Sequence, residues 1–83
     1  MSDRIRHAQE QQVFFVGEQF PPIGYGAPYV EIASDVDCMG PDLVGKLHTL
    51  PDLKRARALA KELAKNGTMA LREGKRLEVI ESL

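Results

Sequence analysis

Eighty-three residues leave no room for a second independent core, so a single domain is expected. The composition, 43% hydrophobic and 28% charged, is that of a folded chain and excludes wholesale disorder. A net charge of −1 argues against a dedicated nucleic-acid binder, and one cysteine, Cys38, excludes an intrachain disulfide.

The near-neutral total hides an asymmetry. Residues 1–42 carry a net −5 and residues 43–83 a net +4. Such a split suits an anionic partner, head-to-tail self-association or solubility alone. The opening stretch, MSDRIRHAQEQQ, has no apolar core of a secretory signal, and VFFV is too short to span a bilayer. With a lone thiol, this reads as a soluble cytoplasmic protein without membrane contact. A chain of this length buries only roughly 60% of its unfolded surface, so a homodimer would add useful stability.

In chain order, residues 2–11 fit a short polar helix, with Ser2 as N-cap and Ile5 and Ala8 on one face. QVFFVG reads as a first strand, apolar on both faces and ending at Gly17. Residues 17–28 then lack any period, and FPPIGYGAPY over 20–29 packs three prolines, two glycines and three aromatics into ten positions. YVEIASDV alternates cleanly as a second strand with one wet face, antiparallel to the first because the connection is too short for a helical crossover.

The next signal repeats. GPDLVGKL and LPDLKRAR both contain Pro-Asp-Leu. Proline suits the first helical position and aspartate faces the positive end of the helix dipole. A short helix from Pro41 to about His48 and a longer one from Pro51 to about Lys65 are therefore expected. In the second, Leu53, Ala56, Leu59, Ala60, Leu63 and Ala64 form one stripe, with Lys54, Lys61 and Lys65 on another face. Gly67 offers a left-handed C-terminal cap.

The remaining segment reads as a hairpin. A loop of Glu73 to Lys75 pairs Leu71 with Leu77 and Met69 with Val79, the register that buries most apolar surface. It also sets Arg72 opposite Arg76 and leaves a basic tip. The expected order is (α)ββααββ, an α+β fold whose small antiparallel sheet of two hairpins is covered by one amphipathic helix.

Two functional readings follow, from different classes. In the first, the loop at 17–28 binds a protein partner. Its prolines limit the entropy lost on ordering, its aromatics supply contact area, and Tyr25 stands unshielded between two glycines. Phe20, Ile23, Tyr25 and Tyr29 are the expected anchors, with Glu31 and Asp35 as a polar rim. The bland counterpart is that Phe20, Ile23 and Tyr29 fold back to cover a sheet edge.

In the second reading, two abutting helices and a hairpin form a winged helix-turn-helix that binds nucleic acid. Lys54, Lys61 and Lys65 on the helix would act with Arg72, Lys75 and Arg76 at the hairpin tip. The slightly negative net charge and the lack of Asn or Gln on the helix face to read adenine count against it.

Catalysis has the least support. Cys38 and His48 make a thiol–imidazole pair in principle, but nothing in the pattern supplies a third group. Glu31, Asp35, Asp37 and Asp42 are oxygen ligands without the spacing of a calcium loop, and read as a solvated face. GYG is followed by no strand-to-helix turn, so it is no phosphate cradle. No cofactor or metal is expected.

Overall fold

The computed structural model describes residues 12–82. The helix expected at 2–11 lies outside them. Strand β1 spans Phe14–Gln19, β2 Tyr29–Ala33, β3 His48–Leu50 and β4 Ala70–Glu73; helix α1 spans Leu53–Gly67 and α2 Lys75–Ser82. The sheet order is β3-β1-β2-β4, with β1 antiparallel to both β2 and β3, and β4 parallel to β2.

The first hairpin forms as expected, in a register that sets Val16 against Ile32 and Gln19 against Tyr29. Strand β1 runs two residues further than the pattern suggests, because Gly17 sits inside it. A Cβ at Gly17 would strike the Leu43 side chain, with Leu47 and Met39 close behind. The missing side chain therefore lets the loop after β2 lie against this face of the sheet.

Parity divides the sheet. Phe14 and Val16 from β1 and Val30 and Ile32 from β2 meet Ala56, Ala60 and Ala64 of α1 in one buried cluster. Leu53, Leu59 and Leu63 pack at its margin, so the apolar stripe read from the sequence is the face that α1 buries. Three alanines on that face allow a close approach of helix to sheet. Phe15, Gly17 and Gln19 lie on the other face, where Met39, Leu43 and Leu47 cover Gly17 and Gly40 lies over Gln19.

Two predicted elements are replaced. No helix forms from Pro41 to His48. That segment turns at Pro41 and Asp42 and then runs along the edge of β1. Phe20 N–H donates to the Asp42 carbonyl at 2.8 Å, Val44 N–H donates to the Glu18 carbonyl at 3.1 Å, and Leu43 bridges Gln19. Backbone groups spent on a strand are lost to a helix, and Gly45 at φ +89° breaks any helical run. The second Pro-Asp-Leu does start a helix, two residues later than the pattern implies, at Leu53 rather than Pro51. Asp52 is the N-cap, its side chain accepting the Arg55 N–H at 2.7 Å.

The second hairpin is the other correction. The chain leaves β4 at Gly74 and enters α2, so the sheet is mixed rather than two antiparallel hairpins. Leu77 is fully buried and Ile80 packs beside the core, whereas Val79 is 64% exposed. Two apolar residues three apart satisfy a helix as readily as alternate ones satisfy a strand. Parallel β4 is reached by carrying α1 across β1 and β2, which joins the two edge strands β3 and β4.

Candidate interaction surface

The connection between β1 and β2 covers residues 20–28, since 17–19 belong to β1. It is built as a tight turn. Tyr25 N–H donates to the Pro22 carbonyl at 2.9 Å, with Ile23 and Gly24 between them. Gly24 at φ +94° occupies the third turn position, where glycine avoids a steric penalty. Gly26 at φ +137° turns the chain back, so that a Cβ there would lie 3.9 Å from the Pro21 ring. At the base, the Phe20 N–H bond to Asp42 ties the loop to the segment running beside β1.

This turn leaves its apolar residues in solvent. Ile23 is 102% exposed, Tyr25 83% and Phe20 42%. Ile23 and Tyr25 therefore do not fold back over a sheet edge.

The other residues of the predicted set lie elsewhere. Tyr29 opens β2, half-buried, with the Arg72 guanidinium 4.1 Å from its ring centroid. Glu31 shares that sheet face, and its carboxylate accepts the Gly40 N–H at 2.6 Å. Asp35 lies beyond the far end of β2, which Tyr29 opens and Ala33 closes, at the entry to the 3₁₀ turn. Its carboxylate accepts the Asp37 N–H at 3.0 Å and meets Arg76 at 3.5 Å. Phe20, Ile23 and Tyr25 thus form one group, Tyr29 and Glu31 adjoin it on the sheet, and Asp35 belongs to the opposite end.

Gln19 is a residue that the sequence reading missed. It is fully buried, and neither its amide oxygen nor its amide nitrogen has a hydrogen-bond partner. A point one Cβ from Gly40 lies 2.8 Å from the Gln19 oxygen and 2.9 Å from both the Glu31 carboxylate and the Tyr29 hydroxyl. Three polar side chains thus converge beneath Gly40. An unpartnered buried amide costs about 1–3 kcal/mol. Its only signal in the sequence is a polar residue at the end of an otherwise apolar strand.

The basic residues are dispersed. Lys54, Lys61 and Lys65 share an exposed ridge of α1. Arg72 lies on the opposite face of the sheet against Tyr29. Lys75 and Arg76 belong to the first turn of α2, with Arg76 near Asp35. Neither the first helix nor the wing of a helix-turn-helix is present among the described residues.

Arg57 of α1 is the other residue the pattern did not single out. Its guanidinium donates to Glu73 of β4 at 2.6 Å and also to Glu81 of α2. Hydrogen bonds to these two carboxylates raise its pKa above the ordinary arginine value. Cys38 closes the short 3₁₀ turn Val36–Cys38 and His48 opens β3, both half-buried. Among the described residues no cluster of three or more His, Cys, Asp or Glu is placed to hold a metal ion. None of their helices is long and apolar enough to cross a membrane.

No family model matches this chain, and comparison with curated proteins and with solved structures gives no significant match.

Proposed function

We propose that this is a small, non-enzymatic interaction protein of the regulatory kind, and that it engages a protein partner through residues 20–28. One observation carries the reading: Ile23 and Tyr25 stand almost wholly in solvent on a turn closed by its own hydrogen bond. Loops with prolines and fixed glycine conformations lose less entropy on binding than open ones. Large apolar and aromatic side chains offered from such a turn are the usual anchors of an interface, since they fill pockets on the partner.

Phe20 extends the group toward the sheet, and Glu18, Glu31 and Asp42 give that end of the molecule acidic neighbours. The partner surface best suited is an apolar pocket with a basic margin. Affinity capture from the native host, with and without nuclease, tests the proposal. A protein retained by the wild type after nuclease, and lost with Tyr25→Ala and with Ile23→Asp, supports it. Retention by both variants, or loss on nuclease treatment, refutes it.

A further inference from the structure

Among the described residues strand β4 is an edge strand, and all four of its residues are exposed. Gly74 N–H donates inward to the Ile32 carbonyl at 3.0 Å. Alternation along the strand therefore turns the backbone of Arg72 toward β2, and the N–H and C=O groups of Leu71 and Glu73 outward. Edge strands are ordinarily protected by charged side chains that stand across the open edge. Here both charges of β4 are drawn away from it. Arg72 lies over the Tyr29 ring on one face of the sheet, and Glu73 is bonded to Arg57 on the other. What remains beside the open backbone is Leu71, 36% exposed, in a groove of about 580 Å³ that Arg57, Lys61, Glu73 and Glu78 also line.

We propose that β4 pairs with β4 of a second copy of this chain, antiparallel, about a two-fold axis at Leu71. The register follows from charge and from backbone bonding. Faces are preserved only if residues of equal parity oppose one another, which leaves Leu71 against Leu71 or Arg72 against Arg72 at the axis. The second choice stacks like charges directly opposite each other, which is destabilising. The first places two apolar side chains together and lets each Leu71 exchange both outward backbone bonds with its copy. It also aims the Glu73 N–H at residue 69 of the other chain. The Met69 N–H needs no partner there, because it already donates to the Ala64 carbonyl at 2.7 Å.

The groove carries both signs of charge, from Lys61 on one side and Glu73 and Glu78 on the other. A two-fold interface requires a surface that is complementary to itself, and mixed charge about an apolar centre meets that requirement. The result is a continuous eight-stranded sheet with the α1 helices of both copies on one side. This inference is independent of the role given to residues 20–28, which lie outside the pairing.

The test uses the full chain. Sedimentation equilibrium of the wild type yields a dimer mass, and Leu71→Glu raises the dissociation constant by about tenfold or more while the far-UV spectrum stays the same. In a Cys38→Ser background, Leu71→Cys forms an intermolecular disulfide under mild oxidation, since residues facing each other in such a pair lie within disulfide reach. Glu73→Cys, set against residue 69 rather than its own copy, cross-links far less. The cross-linking arm still decides if Leu71→Glu fails to fold. A wild type that stays monomeric at every concentration overturns the proposal. So does a dimer that does not cross-link through position 71, or one that pairs β4 only with a different protein.

Discussion

The guanidinium of Arg72 lies 4.1 Å from the centre of the Tyr29 ring, on the face of the sheet turned away from α1. The contact exists because β4 runs parallel to β2 with Arg72 in register with Glu31, next to Tyr29 on the same face. A cation over an exposed aromatic face contributes about 0.5–1 kcal/mol. Arg72→Ala should therefore lower unfolding free energy by about that amount in urea titration. The sign discriminates between two arrangements. Had Arg72 faced Arg76 across a hairpin, its removal would relieve a repulsion and raise stability.

The helical C-terminal segment makes a paired prediction. In a hairpin, Leu77 and Val79 would face the same core. In α2 only Leu77 is buried, while Val79 stands in solvent. Leu77→Ala should cost about 2–5 kcal/mol, the range for an emptied leucine site. Val79→Ala should change stability by less than about 0.5 kcal/mol, as exposed substitutions do. Equal losses for the two variants, measured by thermal or urea unfolding, would point back to the strand.

Gln19 should be replaceable at a gain. Both of its amide atoms are buried and unpartnered, so an apolar side chain of similar length removes a desolvation cost. Gln19→Met should raise stability by about 1 kcal/mol or more. A clear loss would mean that the amide is satisfied in solution.

A second stabilising change lies at the end of α1. Thr68 caps the helix at φ 54°, ψ 50°, with its N–H on the carbonyls of Ala64 and Lys65. This left-handed conformation suits glycine and penalises a β-branched residue. Thr68→Gly should stabilise by about 1 kcal/mol, read as an upward shift in the unfolding midpoint.

Helix α1 and the first hairpin were legible because each pattern had one solution. The stripe from Leu53 to Ala64 fits no strand, and YVEIA alternates over too short a run to be a helix. The C-terminal cap was placed one residue early: Gly67 ends the helix and Thr68 takes the left-handed conformation, while the missing Cβ at Gly67 leaves room for the Met69 side chain. Residues 41–48 were misread because Pro-Asp-Leu reports only a helix start, and the same residues also make a turn. Whether a helix follows depends on the edge of β1, which is distant in sequence. Residues 75–82 were misread because Leu71, Leu77 and Val79 satisfied a strand register that tertiary packing then overrode.

The site was legible in part. The exposure of Tyr25 followed from its flanking glycines, whereas Ile23 fitted an anchor and an edge cover equally well until the turn at Pro22–Tyr25 placed it in solvent. The rim was less legible, because strand parity says which face Asp35 shares with Glu31 but not how far along the molecule it lies. Arg57 is bonded to carboxylates on β4 and α2, and Gln19 is buried by packing against the segment at Gly40 without any hydrogen bond. No local pattern marks such residues.

Site-specific photo-cross-linking in the native host tests the central claim most directly. A photoreactive phenylalanine analogue replaces Tyr25 in one strain and Lys54 in another. The account predicts a discrete protein adduct from position 25, absent from position 54 and insensitive to nuclease. Adducts from position 54 alone, or a position-25 adduct that disappears with nuclease, would contradict it.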